Sequence, residues 1–342
     1  MSCHHDKTMI LLLLLSLVSV CIPFEFPKFQ MPTFPSSNGG SNFGSSTALQ
    51  PGDTVAVVGA SGNVGKLVAL RLSDTYNVNG IVRDASSVNS FFEGRDNIQL
   101  YESDILKEDA DDSLRPALQD ANAIVICTGT TAFPTKAWSR NEDKEVTQDV
   151  WGALVESKFN IREAISKLDK LGLNTPYNVD TLGNELILRA WNSYAQKPKK
   201  RAILLSSIGV QRRAQMPFPI LNTCGVLDAK AAAEADLIET AAENKYSYTI
   251  VRPGQLFGGP YDNNYYLGTL FQLDKDAATQ DVEFGVGDEL LGDTLRSTLA
   301  EVTAQLCEND CGRDMDFAVV NVKGSTPSVE ELQTRLQSLS TE

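Results

Sequence analysis

The chain has little positive charge. It carries 30 Lys and Arg residues against 44 Asp and Glu residues, which gives a formal net charge of −14, and its one basic cluster runs from Lys197 to Arg201. Nucleic acids and anionic membrane surfaces both require a basic face on the protein that binds them. The composition therefore predicts neither as a partner, and we interpret the basic cluster as the solvated entry to a strand.

Cysteines are few, and their positions suit no metal site. Of the six cysteines, Cys3 and Cys21 belong to an N-terminal segment that is predicted to be removed. Cys307 and Cys311 lack the second pair of ligands that a zinc site requires. Cys127 ends a predicted buried strand, where a free thiol packs as a small core residue. The sequence predicts no metal and favours a reducing compartment.

Long apolar runs are absent apart from one near the N-terminus. Met9–Ile22 is apolar except for Ser16 and Ser19, which is short for a transmembrane span but typical of the central region of a secretory signal. Ser19 and Cys21 are small residues at the positions that a signal peptidase reads, so cleavage after Cys21 is predicted. Residues 1–21 are therefore a predicted signal peptide, and the mature form is predicted not to span a membrane. An uncleaved signal anchor is the alternative.

The next segment, residues 22–51, is rich in Pro, Phe, Ser, Gly and Asn and has few charges. Such a composition predicts a disordered linker. An apolar signal followed by this acid-poor stretch resembles the two-part presequence of plastids that are bounded by extra membranes. We therefore predict delivery to a plastid (chloroplast) by the secretory route, with the ER lumen or secretion as the alternative.

The rest of the chain is organised around a glycine-rich turn. Thr54–Val58 is apolar and β-branched, as a buried strand requires, and the turn Gly59–Gly65 leads into a helix with an apolar face. In such a unit the glycines let the backbone approach a pyrophosphate, which binds at the helix N-terminus. We predict that the dinucleotide is bound by Gly59, Ser61, Gly62, Asn63, Val64 and Gly65.

The end of the second predicted strand, 78–82, selects the dinucleotide. Arg83 follows this strand, and a guanidinium at this place can bind the 2′-phosphate of NADP, whereas a carboxylate would bind the ribose hydroxyl of NAD. Asp84 comes one residue later and is the alternative that favours NAD. The sequence predicts NADP(H) as the cofactor.

Further short apolar runs predict an α/β fold. Predicted strands at 98–101, 123–127, 202–205 and 248–251 alternate with helical patterns, which indicates a doubly wound parallel sheet of the Rossmann type. Two late strands and a helix between them predict a small C-terminal α+β substrate lobe. The two late strands are predicted at 282–284 and 317–322, and the helix between them at 293–307. The Rossmann domain is predicted to cover residues 52–325, with the lobe starting at about 255, and residues 326–342 are predicted to form a C-terminal helix or tail.

Residues 139–177 form a predicted helical insertion. After a charged start at 140–145, apolar residues recur on roughly one helical face, namely Leu154, Ile161, Ile165, Leu168 and Leu171. The insertion is longer than most loops of compact domains. It is either a lid or partner-binding helix, or a helix packed on the domain. The next helix is predicted to start near Val179 and to bury Leu182, Leu186, Ile187 and Ala190.

Several motifs occur together in the order of a known family. They are Gly59–Gly65, Val82–Asp84, Ser103–Asp104, Leu205–Val210, Gly225–Lys230 and Thr249–Gly254. In combination they resemble the atypical short-chain dehydrogenase/reductases, and among these the NmrA-like, NAD(P)H-binding group that is common in chloroplasts. Thr128–Pro134 with Trp138 adds to the plastid-type likeness. The resemblance covers residues 53–325 without the insertion, and it implies an NAD(P)H-dependent oxidoreductase.

The resemblance also implies roles for residues at the strand ends. The turn after the third strand lies beside the adenine in this fold, and the small residues after the fourth strand approach the ribose and the nicotinamide. The sixth strand ends in a proline of the family pattern. The further cofactor-binding residues implied in this way are Asp104, Ile105, Thr128, Gly129, Lys230 and Pro253.

The catalytic motif departs from the family at one position. Ser206 or Ser207 matches the active-site serine, and Lys230 matches the lysine that holds the ribose, so we predict Ser207 and Lys230 as the catalytic residues. Typical members carry a tyrosine four residues before the lysine, but here that residue is Val226, which cannot transfer a proton. The loop after the sixth strand contains Tyr261, Tyr265 and Tyr266, which are candidates for a displaced acid, and no spacing selects one of them.

Two functions follow from these residues. The first is an oxidoreductase that transfers hydride between NADP(H) and a small metabolite or quinone-like acceptor without the usual tyrosine. The second is a non-catalytic NADP(H)-binding redox sensor or assembly factor, which would contact a protein partner through the 139–177 insertion.

Overall fold

The computed structural model describes residues 48–140, 146–258 and 279–339. Several predicted features lie outside the described residues. These are the signal peptide, residues 22–47 of the linker, residues 141–145 of the charged start of the insertion, and the loop tyrosines Tyr261, Tyr265 and Tyr266.

Ten strands form a single sheet in the described ranges. In chain order they are β1 (Thr54–Val58), β2 (Asn77–Val82), β3 (Ile98–Glu102), β4 (Ala123–Ile126), β5 (Arg201–Leu205), β6 (Ser247–Pro253), β7 (Gln255–Phe257), β8 (Asp281–Val286), β9 (Asp293–Leu295) and β10 (Met315–Val322). Their order across the sheet is β3-β2-β1-β4-β5-β6-β10-β9-β7, and β8 also pairs with β10. The first six described strands, β1 to β6, and β10 are parallel to one another. The predicted doubly wound parallel sheet is thus confirmed.

Nine α-helices surround the sheet in the part of the chain that the structure describes. They are α1 (Gly65–Leu72), α2 (Ala110–Leu118), α3 (Thr147–Glu156), α4 (Ile161–Lys170), α5 (Asn184–Tyr194), α6 (Phe218–Leu221), α7 (Val226–Asn244), α8 (Arg296–Glu308) and α9 (Val329–Ser338). Helix α9 occupies the predicted C-terminal segment. None of the helices in the described ranges is long and apolar enough to cross a membrane.

Strands β1 and β4, in the middle of the sheet, are buried on both faces because their successive residues are apolar. In β1, Val55 and Val57 face a core formed with α1, α8 and α9, while Ala56 and Val58 face a second core formed with α2, α5 and α7. Alternate residues of a strand point to opposite faces. Two-sided burial is typical of parallel sheets and explains why the strands have no polar face.

The insertion is two helices and not the single continuous face that the sequence predicted. Helices α3 and α4 are separated by Lys158 and Phe159, whose φ angles of 51° and 65° are left-handed and end α3. Leu168 packs with Trp138 in a separate small core. Leu171 lies after the end of α4 and is 62% exposed, so its predicted place on the buried face is wrong.

A π-helical turn, Tyr177–Gly183, precedes α5. A π turn has more residues per turn than an α-helix, so residues spaced for an α-helix do not all face the same side. Leu182 is therefore 40% exposed, although burial was predicted. Ile187 and Ala190 are fully buried as predicted. A single π turn within a helix often marks a functional site.

The C-terminal strands continue the main sheet. Strand β10 lies beside β6 and is parallel to it, with Ala318 opposite Arg252, and β8 and β9 pair with β10 in the antiparallel direction. The predicted helix over 293–307 is wrong at its start, because the first three residues form β9. Strand β9 also pairs with β7.

Candidate functional site

The glycine turn between β1 and α1 has open amides. Gly59 has a φ of +80°, a left-handed conformation that favours glycine. A Cβ atom on Gly65 would lie 2.1 Å from the carbonyl oxygen of Gly59, so the helix meets the turn at a distance that no side chain permits. Within the described residues, no group accepts a hydrogen bond from the amides of Ser61, Asn63 or Val64. Free amides at a helix start are the donors that an anion requires.

The two candidates at the end of β2 differ in their partners. Asp84 accepts hydrogen bonds from the hydroxyl and the amide of Ser86, at 2.7 and 2.9 Å, and these bonds lower the pKa of Asp84. Arg83 is exposed, and no described residue pairs with its guanidinium. Arg83 is therefore available to a ligand, whereas the Asp84 carboxylate already stabilises its own turn.

The residues after β3 are tied to neighbouring segments. The carboxylate of Asp104 accepts a bond from the Leu106 amide at 3.2 Å and pairs with the guanidinium of Arg140 at the start of the insertion. Ile105 packs against the π turn so closely that a Cβ on Gly183 would lie 2.6 Å from its Cδ1 atom. These contacts hold the loop after β3 at the same edge of the sheet.

The loop after β4 lies between the glycine turn and α7. A Cβ on Gly59 would be 3.2 Å from the amide nitrogen of Thr128. The Thr128 hydroxyl donates to the side-chain oxygen of Asn184 at 2.9 Å. A Cβ on Gly129 would lie 3.3 Å from the Nζ atom of Lys230. The structure thus brings the glycine turn, the loop after β4 and Lys230 together.

Lys230 pairs with a buried carboxylate that the sequence analysis missed. Asp180 lies in the π turn, its side chain is 0% exposed, and its Oδ1 atom accepts a bond from Nζ of Lys230 at 2.8 Å. Its Oδ2 atom accepts a bond from the amide of Thr130 at 3.2 Å. Burial raises the pKa of Asp180, and Lys230 and the Thr130 amide act against that rise. The two charged residues are 50 positions apart, so no local motif marks them.

The two serines at the end of β5 have different environments. Ser206 is buried, and its hydroxyl donates to Glu234 of α7. Glu234 also accepts two bonds from Arg252 of β6, at 3.0 and 2.8 Å, and Arg252 pairs in addition with Asp316 of β10. Ser207 is half-buried and donates to the next residue's carbonyl at 3.0 Å. The Ser206 hydroxyl therefore belongs to a buried network, whereas Ser207 is partly exposed and bonded only to its neighbour among described residues.

Val226, four residues before Lys230, lies in an apolar cluster. Val226 is 5% exposed and packs with Val210, Phe218 and Leu227. A valine in this setting offers no proton to a substrate. Position 226 therefore supplies packing between α7 and the loop after β5 instead of acid catalysis.

The end of β6 connects this edge to the C-terminal strands. The carbonyl of Pro253 accepts a bond from the Ile208 amide at 3.0 Å. A Cβ on Gly254 would lie only 2.0 Å from the carbonyl oxygen of Gly292, so the chain passes close to β9 there. In the described part of the chain, no group of His, Cys, Asp and Glu side chains is arranged to hold a metal ion.

The groups at this edge suit a dinucleotide phosphate and ribose. Ligands of open parallel sheets bind beyond the carboxyl ends of the strands. The amides of the turn suit a pyrophosphate, the guanidinium of Arg83 suits a further phosphate, and Lys230 has donors for hydroxyl groups. Their common feature is that each is a hydrogen-bond donor at the same edge.

Comparison with known protein families also indicates a nicotinamide dinucleotide as the ligand. A family profile described as NAD(P)H-binding matches residues 59–309. No curated protein matches the chain significantly.

Solved structures of reductases have the same fold. The oxidoreductase ylbE from Lactococcus lactis is 19% identical, with 84% of this chain and 97% of ylbE covered and a TM-score of 0.54. Yeast methylglyoxal/isovaleraldehyde reductase Gre2, solved with NADPH, is 16% identical, with 78% of each chain covered and a TM-score of 0.50. ChuY, an anaerobillin reductase from Escherichia coli O157:H7, is 16% identical, with 78% of this chain and 96% of ChuY covered and a TM-score of 0.50. At these identities the likeness concerns the fold.

Proposed function

Since the chain belongs to the NAD(P)H-binding family, we propose that it is an NADP(H)-dependent oxidoreductase similar to the NmrA-like atypical short-chain dehydrogenase/reductases. Its substrate is a small metabolite or quinone-like acceptor, and NAD(H) is the alternative cofactor. The observation that carries the proposal is the set of donors at one edge of the sheet. These are the open amides of the glycine turn, the Arg83 guanidinium, which pairs with no described residue, and the Lys230 ammonium beside Gly129.

Each of these donors has a role in binding. The turn amides hold the pyrophosphate, and Arg83 makes charge-assisted bonds to the 2′-phosphate. Lys230 holds the ribose on the nicotinamide side, next to Thr128 and Gly129. A bound nicotinamide supplies the hydride chemistry, which the protein itself does not provide. Ser207 orients the acceptor by hydrogen bonding.

The class of acceptor follows from Val226. General acid help contributes roughly a hundredfold to ten-thousandfold to proton transfer, and the cluster around Val226 contains no acid. Simple carbonyl compounds need a proton on the oxygen as hydride arrives. Quinone-like acceptors need less acid help, because the negative charge that hydride brings is delocalised in the product. We therefore favour them as substrates.

The test is a steady-state assay of NADPH oxidation with a panel of quinones and carbonyl compounds. We expect turnover with at least one quinone-like acceptor and weak activity with simple carbonyls. Ser207→Ala should lower the rate, whereas Ser206→Ala should mainly lower stability, because the Ser206 hydroxyl is bonded inside the protein. Failure of the protein to bind NADPH would overturn the proposal.

A non-catalytic role has its own supporting observation. The insertion carries an exposed apolar surface on α3 and the turn after it, formed by Trp151, Val155 and Phe159, and the Trp151 and Phe159 rings are in contact at 6.2 Å between centroids. Such a surface suits a protein partner. NADPH binding without oxidation by any acceptor, together with partner binding that Trp151→Ala abolishes, would favour a redox sensor or assembly factor.

A further inference from the structure

The Asp180–Lys230 pair is an ion pair at the cofactor edge that the sequence motif does not contain. Taking two opposite charges out of water costs free energy, which their attraction offsets only when the geometry is good. Here the Lys230 side chain is 13% exposed and the Asp180 side chain is 0% exposed. A buried carboxylate is therefore maintained beside the lysine that is expected to hold the ribose.

The pair leaves two donors of Lys230 for a ligand. An ammonium group has three N–H donors. One donates to Asp180 at 2.8 Å, and in the described ranges no other residue accepts a bond from Nζ. The same atom would lie 3.3 Å from a Cβ on Gly129. Lys230 is thus directed to the loop after β4 with two donors unused.

Asp180 is itself held firmly. Its backbone carbonyl accepts a bond from the side chain of Asn184 at 2.9 Å, and the π turn is anchored by Asn178, which donates to the carbonyls of Asp169 and Leu173, both at 2.9 Å. A side chain fixed by its own backbone contacts is able to fix its partner. The π turn therefore provides a rigid support for the lysine.

We propose that Asp180 is a positioning residue that orients the ammonium of Lys230 for the cofactor ribose. The inference rests on the proposed binding of NADP(H). In the family motif the charge of the lysine acts on a tyrosine, but at this site position 226 is a buried valine and the charge faces Asp180. The lysine therefore serves cofactor binding and not proton transfer.

Other charged groups near the pair have partners of their own. Among described residues, Lys230 is the charged group that acts on Asp180. The carboxylates on the neighbouring helices are bonded elsewhere or exposed: Asp169 accepts from Thr175, Asp228 pairs with Arg213, Glu234 pairs with Arg252, and Glu185 is exposed. In the described part of the chain, the pair is thus not shared with a third charged group.

The test is the affinity of the full chain for NADPH as a function of pH, measured by calorimetry for the unmodified protein and for Asp180→Asn. The range is about pH 7 to about pH 9.5, in which the 2′-phosphate stays charged. We expect little change for the unmodified protein. Asp180→Asn leaves a buried ammonium without its counter-charge, which favours loss of the proton, so its affinity should be roughly tenfold lower and fall further as pH rises.

Asp169→Asn is the matched control. Asp169 is bonded to Thr175 beside the same π turn, at 2.6 Å, and is not in contact with Lys230, so its affinity should follow the unmodified protein. An Asp180→Asn variant with unchanged affinity over the whole range would overturn the inference. If the unmodified protein binds NADPH and Lys230→Met binds it equally well, the inference fails, while the proposed binding of NADP(H) by the glycine turn and Arg83 stands without Lys230. If the unmodified protein binds no NADPH, the proposed function fails.

A second variant tests the pair without Asp180→Asn, in case that variant does not fold. Lys230→Met leaves the Asp180 carboxyl buried without a cation, and burial raises its pKa. A carboxyl with a raised pKa in the folded state favours folding at low pH, and this contribution is lost as pH rises through that pKa. The loss of melting temperature relative to the unmodified protein should therefore be larger at about pH 8 than at about pH 5. A loss that does not depend on pH would overturn the inference.

Discussion

The choice between NADP(H) and NAD(H) rests on Arg83. Its guanidinium is exposed and has no partner in the described part of the chain, while neighbouring Asp84 is bonded within its own turn. A charge-assisted contact with the 2′-phosphate is worth about 1.5–3 kcal/mol. We expect Arg83→Ala to lower NADPH affinity roughly tenfold to a hundredfold and to leave NADH affinity nearly unchanged, as measured by calorimetry.

The control for this prediction is Arg162→Ala, which removes an exposed arginine from α4. It should change neither affinity, because α4 lies in the insertion and not at the end of β2. Equal affinities for NADPH and NADH in the unmodified protein would contradict the role of Arg83.

Single residues were predictable where their chemistry is local. The glycine turn, Arg83 and Lys230 stand in or beside short motifs, and the structure places all three at one edge of the sheet. Asp180 could not be predicted, because its partner is 50 positions away and its neighbours in sequence contain no motif. The sequence predicted Ser207 over Ser206 without a physical reason, and the structure supplies one, because the Ser206 hydroxyl is bonded to the buried Glu234.

At the scale of the elements, the close packing of helix α1 on the glycine turn requires a residue without a side chain at position 65. A Cβ on Gly65 would lie 2.1 Å from the Gly59 oxygen, whereas a Cβ on Gly152, inside α3, would meet nothing within 4 Å. Gly65→Ala should therefore lower the free energy of unfolding by about 3 kcal/mol or more. Gly152→Ala should raise it by about 0.5–1 kcal/mol, because alanine is the better helix former.

Urea denaturation measures both changes in the free energy of unfolding. Gly152→Ala is the control for Gly65→Ala, because each variant adds the same methyl group to a helix. A small effect of Gly65→Ala would show that the turn can relax, and the close packing of α1 on β1 would then not be required.

Helices α1 and α8 are joined by an ion pair whose strength should depend on pH. Arg71 donates to both carboxylate oxygens of Glu301, at 2.6 and 3.0 Å. Burial acts to raise the pKa of Glu301, but the bonds from Arg71 and Gln305 outweigh it and lower that pKa. Because the pKa of Glu301 is lower in the folded state, the pair contributes stability above the ordinary carboxyl pKa. This contribution is lost as pH falls through the folded-state pKa.

Arg71→Met should therefore destabilise the protein at about pH 7 by up to about 1 kcal/mol, because the pair is partly exposed. At about pH 3, where Glu301 is largely protonated, the difference from the unmodified protein should be smaller. Urea denaturation at the two pH values measures this. A destabilisation that grows in acid would contradict the pairing.

Most strands were predictable because two-sided burial makes each a short apolar run. The predicted bounds of the strands from β1 to β6 agree with the structure to within about two residues, the usual uncertainty of such ends. The break at Lys158 and Phe159 was not predictable, since neither residue favours a left-handed conformation. The π turn was missed for a related reason: its sequence fits an α-helix, and tertiary contacts of Asp180 and Asn178 select the wider turn.

At the scale of the whole molecule, we propose that the chain is delivered to a plastid by a secretory-type signal. The motive is the apolar run Met9–Ile22 followed by an acid-poor stretch. Residues 1–50 fused to a fluorescent protein should reach the plastid, and the fusion without Met9–Ile22 should stay in the cytosol. Fluorescence microscopy measures this, and recovery of the intact fusion in the medium would instead favour secretion.

The position of β10 has a consequence for the order in which the protein is completed. β10 is the last strand of the described residues, yet it lies inside the sheet, with β6 on one side and β8 and β9 on the other. A ribosome releases it after the other described strands, and until then one edge of β6 is open, β8 lacks the strand with which it pairs, and β9 is paired with β7 alone. Open strand edges invite pairing with other chains. Synthesis of Met315–Val322 is therefore the step that joins β6, β8 and β9 in the described sheet, and a chain that stops before Met315 leaves β8 without the strand with which it pairs.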